Sequence, residues 1–191
     1  MKNDLRAAVV LLGALALLTG IVYPLAVTGI AQVMFPSAAN GSLLVVNGRV
    51  RGSSLIGQPF SAPGYFWSRP SATSPVPYKA AASAGSNLGP TNPALVAAVQ
   101  ERVAALRAAD PGLTGPIPVD LVTASASGLD PDISPAAALV QVPRVAMARG
   151  LPEELLHRLV RTHIESRSFG FLGEPRVNVL ALNLALDRLR A

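Results

Sequence analysis

No charged residue interrupts the chain between Ala7 and Phe35, and most positions in this stretch are hydrophobic. A helix over the run would be roughly 43 Å long at ~1.5 Å per residue, whereas the hydrocarbon core of a bilayer is about 30 Å thick. We therefore predict a transmembrane helix with an extension over residues 7–35. The apolar region of a cleaved signal peptide is much shorter, so the helix is expected to remain as an anchor.

The basic residues that flank this run predict its orientation. Lys2 and Arg6 come just before it, and the next basic residues after it are further away. By the positive-inside bias, residues 1–6 are expected in the cytoplasm and residues 36–191 are expected to form an exported domain. Pro24 lacks a backbone donor and is expected to kink the helix.

The pattern after the anchor predicts a hairpin and then a helix. Asn47-Gly48 separates two β-rich runs and suits a type I′ turn. Further along, Asn92 and Pro93 are typical of a helix start, and Asp110 is followed by Pro-Gly at its end. Hydrophobic residues at helical spacing in between give this helix one apolar face, at Leu95, Val99, Val103 and Leu106.

The C-terminal third is predicted to be helical. Ser134-Pro135 is an N-cap and first-turn pair that opens a helix reaching about Ala148, with a kink or break at Pro143. Two more helices are predicted over 151–167 and 178–190. The fold class is therefore α+β: one N-terminal transmembrane helix, then an exported mixed domain with a small sheet at the hairpin and about four helices.

Composition excludes several classes of function. The chain has no cysteine, so neither disulfides nor thiolate metal sites can form. The net charge is +5, but basic residues are dispersed, so no nucleic-acid partner is expected, while the anchor makes membrane lipid a partner. A Gly-x-x-x-x-Gly-Lys-Ser/Thr phosphate loop is absent from the sequence.

The segment "DLVTASASGLDPDISPAAA" carries the densest polar chemistry. Thr123, Ser125 and Ser127 alternate with alanines, which predicts a strand with the hydroxyls on one side. A serine nucleophile also needs a base, and His157 and His163 are predicted on opposite sides of a helix. No catalytic residue is therefore predicted, although a membrane-anchored exported hydrolase stays as the alternative.

Small side chains favour an architectural interpretation of the same segment. Over Leu121–Pro135 they would let a strand and the following helix pack at close range, with Gly128 at the turn. Asp130 and Asp132 could ligate a hard cation or simply serve the turn and the helix start, and no metal site is predicted. The aromatic cluster Tyr65–Trp67 suits either a recognition surface or a strand packed in the core.

Six ordered segments resemble the C subunit of the bacterial Kdp potassium-transporting P-type ATPase. They are "GSSLIGQPF" (52–60), "YFWSRPSAT" (65–73), "GSNLGPTNP" (85–93), "LVTASASGLDPDISP" (121–135), "QVPRVA" (141–146) and "GFLGEPRVNVLALNLALD" (170–187). The residues of these segments taken as family-motif or structural positions are Trp67, Arg69, Pro70, Asn87, Gly89, Pro90, Asn92, Pro93, Ser125, Ser127, Gly128, Asp130, Gly173, Asn178 and Asn183.

The resemblance implies a single-pass accessory subunit of the bacterial inner membrane. Its implied partners are a channel-like potassium subunit, a P-type ATPase subunit and a small single-span subunit. ATP and potassium belong to the complex, so this chain is expected to be no enzyme and to bind no cofactor firmly. The family is described as a catalytic chaperone that raises the ATP affinity of the ATPase subunit. Gln141 is the candidate nucleotide contact, with bridging of backbone groups within the fold as its alternative role.

Overall fold

The computed structural model describes residues 2–189. Met1, Arg190 and Ala191, which belong to the predicted N-terminal segment and exported domain, lie outside the described residues. The chain divides into two compact units, one ending at Arg51 and the other beginning at Gly52. The architecture is mixed α+β, which confirms the predicted fold class.

The first unit begins with one long helix. It comprises α1 (Lys2–Leu17), a π-helical turn (Leu18–Val22) and α2 (Tyr23–Met34). In the described part of the chain, this is the helix that is long and apolar enough to cross a membrane. The π turn ends two residues before Pro24, a proline that was expected to kink the helix because it lacks a backbone N–H.

The hairpin follows a short helix, α3 (Pro36–Ala39). Strands β1 (Leu43–Val46) and β2 (Arg49–Ser53) form a two-stranded sheet. Asn47 and Gly48 have φ angles of 52° and 72°, as a type I′ turn requires, so the predicted hairpin is confirmed.

Helix α4 (Pro93–Ala109) opens the helical part of the second unit as predicted. The Asn92 side chain accepts a hydrogen bond from the Ala94 N–H at 2.9 Å and Pro93 lies in the first turn. Leu106 is buried, and Val99 and Val103 pack against the same core. A 3₁₀ turn (Val119–Leu121) lies between α4 and the next strand.

A small antiparallel sheet, which the sequence did not predict, stands beside the C-terminal helices. Its order is β3 (Asp132–Ile133), β5 (Arg176–Asn178), β4 (Ile164–Glu165). The predicted helix over 151–167 was therefore too long: α7 (Glu153–Thr162) ends before β4. Ile164 and Glu165, which helical spacing alone had assigned to this helix, instead pair with β5.

The other helices predicted in the C-terminal third are present, although the sheet means that this third is not wholly helical as predicted. The predicted break near Pro143 is present, because the helix starting at Pro135 divides into α5 (Pro135–Leu139) and α6 (Val142–Arg149). Helix α8 (Val179–Arg188) closes the chain. The core lies between these helices and the three-stranded sheet, and Phe66, from the loop between β2 and α4, is buried in it. The largest fully buried hydrophobic residues of the core are Phe66, Ile133, Leu156, Leu182, Leu186, Val142, Val145, Val160, Val177 and Val179.

Candidate functional site

Two buried side-chain amides hold the aromatic segment in place. Asn183 on α8 accepts from the Phe66 N–H and donates to the Phe66 carbonyl, both at 2.9 Å. Gln141, between α5 and α6, accepts from the Trp67 N–H at 2.7 Å and donates to the Trp67 carbonyl at 3.2 Å. Each amide therefore satisfies both backbone groups of one residue, as a neighbouring strand would. Tyr65–Trp67 is not a strand, but Phe66 is fully buried in the core.

Gln141 makes two further contacts within the chain. Its Nε2 donates to the Ala137 carbonyl at 3.0 Å, and its Oε1 accepts from Arg144 Nη2 at 2.7 Å. A primary amide has two donors and two acceptor sites, so these contacts use its full capacity. The residue is only 3% exposed. A nucleotide base or ribose could bind this amide only by displacing one of these partners.

Two arginines on α6 also contact the aromatic segment Tyr65–Trp67. Arg144 lies 4.2 Å from the Trp67 ring centre and donates to the Pro63 carbonyl at 2.5 Å. Burial lowers the pKa of Arg144 to about 10, although the nearby Asp110 charge opposes this shift, so the guanidinium stays protonated at neutral pH. Arg149 lies 4.4 Å from the Tyr65 ring centre.

Sequence reasoning missed the role of both arginines. Arg144 had a usable signal, because it follows Gln141 by three residues and neighbours it on a helical surface. Arg149 had no comparable signal: its contacts with the Gly64 carbonyl (2.6 Å) and Asp187 (2.8 Å) join residues distant in sequence.

Arg69 and Asp130 form an ion pair, with Arg69 Nη1 at 2.6 Å from Asp130 Oδ2. The other Asp130 oxygen accepts from the Asp132 N–H at 3.0 Å and so stabilises the turn. The Tyr78 hydroxyl donates to the Arg69 carbonyl, and burial raises the pKa of Tyr78. Asp130 thus connects the loop that carries Arg69 to the turn before β3.

Asp132 occupies a partly buried position opposite Asn178 in the sheet. Burial raises the pKa of the Asp132 carboxyl, and the Asp130 charge adds to the effect, while Arg176 at 3.1 Å opposes it. Asn178 donates to Asp132 at 3.3 Å and caps α8 by accepting from the Ala181 N–H at 3.0 Å. Over residues 2–189, the structure contains no group of three or more His, Asp or Glu side chains that could hold a metal ion.

The predicted strand over Thr123–Ser127 was wrong. The residues form an irregular loop in which Ala124 is half-buried and Ala126 is exposed, and neither alanine is among the core residues. The hydroxyls instead serve local turns: Ser125 Oγ accepts from the Gly128 N–H at 2.9 Å and Ser127 Oγ from the Leu129 N–H at 3.1 Å. Short polar side chains often compete with regular strands in this way.

The backbone of the loop at Gly128 nevertheless lies close to a neighbouring segment of the chain. Gly128 has φ +68°, and an added Cβ would lie 2.6 Å from the Ala84 carbonyl oxygen and 2.7 Å from a Thr73 methyl carbon. The Ala84 N–H donates to the Ser127 carbonyl at 3.0 Å. The loop therefore packs against the 71–85 region through its backbone.

Neither histidine is hydrogen-bonded to the serines of this loop in the described part of the chain. His163 Nδ1 is 2.8 Å from the Leu159 carbonyl oxygen, and His157 Nδ1 is buried without a hydrogen-bond partner. Among the described hydrogen bonds, neither ring contacts Ser125 or Ser127. A nucleophile paired with a base, which the hydrolase alternative needs, is not formed by these side chains.

The remaining motif positions shape loops. Asn87 has φ 52°, the Asn92 N–H donates to the Gly89 carbonyl at 3.0 Å, and Gly173 has φ +78°. Pro70 is half-buried and Pro90 is exposed. Asn87, Gly89 and Pro90 lie in the loop before α4, and Gly173 lies in the hairpin between β4 and β5.

Comparison with known proteins gives a consistent family. The model of the KdpC family, described as "K+-transporting ATPase, c chain", matches residues 5–188. A relative from Methylibium petroleiphilum is 65% identical over 190 residues and one from Sorangium cellulosum is 66% identical over 190 residues; each alignment covers 100% of both chains. A third, from Variovorax paradoxus, is 64% identical over 98% of this chain and 97% of its own. All three are named "Potassium-transporting ATPase KdpC subunit". The chain belongs to the KdpC family, the c chains of K+-transporting ATPases.

Proposed function

We propose that this chain is a membrane-anchored, non-catalytic accessory subunit of an ATP-driven potassium uptake complex. The observation that carries the proposal is the match to the family over residues 5–188, together with relatives at 64–66% identity that are named as subunits of a potassium-transporting ATPase. The structure is compatible with an accessory role, because the polar side chains of the motifs are engaged with the chain's own backbone.

The helix Lys2–Met34 is the proposed membrane anchor. Lys2 and Arg6 support a cytoplasmic N-terminus by the positive-inside bias, so the second compact unit is proposed to lie on the periplasmic side of the inner membrane. On that side the domain is separated from cytoplasmic ATP. Potassium conduction and ATP hydrolysis are accordingly assigned to partners, namely a channel-like subunit and a P-type ATPase subunit, with a small single-span subunit completing the complex.

The accessory role is proposed to comprise assembly, stability and an increase in the ATP affinity of the ATPase subunit. Because Gln141 already spends both donors and its acceptor oxygen inside the fold, an effect on ATP affinity is best explained by contacts between subunits. The chain would then act on the nucleotide site through the partner, without touching the nucleotide.

Assembly of the complex with and without this chain tests the proposal. The tagged ATPase subunit is purified from cells that contain or lack the gene for this chain, and potassium-stimulated ATP hydrolysis is measured against ATP concentration. The chain is expected to co-purify, and its loss is expected to lower activity or raise the ATP concentration needed. A chain that never co-purifies, or whose loss changes neither quantity, would refute the proposed function.

A further inference from the structure

The hairpin that joins β4 to β5 extends beyond the sheet and ends in an exposed apolar tip. The tip consists of Phe169, Phe171 and Leu172, whose exposed fractions are 89%, 71% and 51%. Elsewhere in the described part of the second unit, large exposed hydrophobic residues stand singly in the sequence, and none is a phenylalanine. Two neighbouring exposed phenylalanines in one turn are unusual for a surface that only water covers.

Backbone hydrogen bonds close the turn that carries this tip. Ser168 and Leu172 exchange two backbone hydrogen bonds, both of 2.9 Å. Phe169 lies between them with φ +54°, a conformation that non-glycine residues seldom adopt. Arg167 and Glu174 form an ion pair at 2.6 Å across the base of the turn. Binding of a partner to the tip would therefore cost little conformational entropy, because the turn is already ordered.

The charges around the tip favour a protein partner over a lipid surface. Arg167 pairs with Glu174, and Arg176 pairs with Glu165 at 2.7 Å, so the four charges of the hairpin sum to zero. A segment that binds anionic headgroups carries an excess of Lys and Arg. Aromatic side chains surrounded by neutral, polar pairs are instead the arrangement of a protein interface, with an apolar centre and a polar rim.

The size of the tip argues against a second copy of this chain as its partner. Two phenylalanines and a leucine can bury at most roughly 450 Å² of their own surface. A stable interface needs about 800 Å² from each partner, so the tip alone cannot hold a dimer. It is sufficient as an anchor for a partner that is already kept close, for example by a helix in the same membrane, because tethering raises the effective concentration.

We propose that the apolar tip docks into an apolar pocket, rimmed by polar groups, on another subunit of the transport complex. The inference rests on the proposed function. Phe169 and Phe171 are the side chains that enter the pocket, and aromatic residues of this kind carry much of the binding energy in known interfaces.

Photocrosslinking in the assembled complex tests the docking directly. The photoreactive residue p-benzoylphenylalanine is placed at Phe169 in the full chain and, as a control, at Met147, which is 78% exposed outside the tip. After irradiation of membranes, adducts at position 169 are expected with another subunit of the complex, identified by mass spectrometry. Adducts only with lipid, only with a second copy, or none at all would overturn the proposal.

A double variant provides an independent measurement. In detergent, the complex that carries Phe169→Ser and Phe171→Ser is expected to lose this chain at least about tenfold faster than the wild type, whereas Met147→Ser should behave as wild type. Equal retention of the double variant would contradict the docking, and if the variant fails to fold, the crosslinks decide. Should the wild-type chain itself not co-purify, the proposed function has failed before either readout, and the inference falls with it.

Discussion

Replacement of Gln141 by leucine separates a structural role for this amide from a nucleotide contact. Leucine keeps a side chain of similar size but removes the donors and the acceptor. The Trp67 N–H and carbonyl lose their partners at 2.7 and 3.2 Å, and the Ala137 carbonyl loses one at 3.0 Å. Arg144 keeps its bond to the Pro63 carbonyl.

The cost follows from the buried groups that are left without partners. Each such group costs ~1–3 kcal/mol, and local opening to water relieves part of it, so we expect a loss of roughly 3 kcal/mol in the free energy of unfolding. For a chain of this size that corresponds to a decrease in melting temperature of about 10 °C.

Asn183 offers a matched control, since it bridges Phe66 as Gln141 bridges Trp67. Thermal unfolding of the full-length Gln141→Leu and Asn183→Leu variants is followed in detergent by circular dichroism, and the apparent ATP affinity is measured at equal amounts of assembled complex. Both variants are expected to melt earlier and to change the ATP affinity alike, if at all. A Gln141→Leu chain with wild-type melting but weakened ATP affinity, beside an Asn183→Leu chain with unchanged ATP affinity, would refute the structural interpretation.

Three further predictions concern other parts of the chain. Protease added to intact spheroplasts is expected to digest the second unit, and complete protection would contradict the proposed orientation. Gly173→Ala should lower the free energy of unfolding by about 1 kcal/mol through its positive φ, whereas Gly128→Ala should cost ~1–3 kcal/mol more because its Cβ would meet the Ala84 carbonyl; equal costs in denaturant titrations would disprove this close packing. The pKa of the Asp132 carboxyl is raised above 3.8, so the folded chain binds the proton of this carboxyl more tightly than the unfolded chain does. The stability that comes from the protonated carboxyl is therefore fully present below pH 3.8 and is lost as the pH rises through the raised pKa. Asp132→Asn should flatten that part of the stability curve, and an unchanged slope would argue against the shift.

Elements with strong local signals could be predicted from the sequence. The long apolar run predicted the N-terminal helix, Asn47-Gly48 predicted its hairpin, and Ser134 predicted the start of α5, where it accepts from the Ala137 N–H at 3.1 Å. In each case the determining interaction lies within a few residues along the chain, so the sequence contains the whole cause.

The sheet β3–β5–β4 could not be predicted for the opposite reason. Strands β3 and β4 have two residues each, too few for a period of two to be recognised. Their existence depends on pairing with β5, and Ile133 and Ile164 both lie opposite Val177. Helical spacing in 151–167 was a local signal that this pairing overrode.

The polar motif residues show why a motif is easier to recognise than to interpret. Asn183 and Gln141 lie 117 and 74 positions from the backbone groups that they bridge. Helical spacing places Asn183 beside Val179 and Leu186 on an apolar face, but nothing near either amide in the sequence indicates which backbone groups it bridges, and an amide of the same type could equally bind a ligand. The loop around Phe66 has few backbone partners of its own, so it depends on these distant amides for hydrogen bonds that a strand would make with its neighbour. In this region, the polar residues that most resembled a binding site are the ones that hold the loop onto the helices.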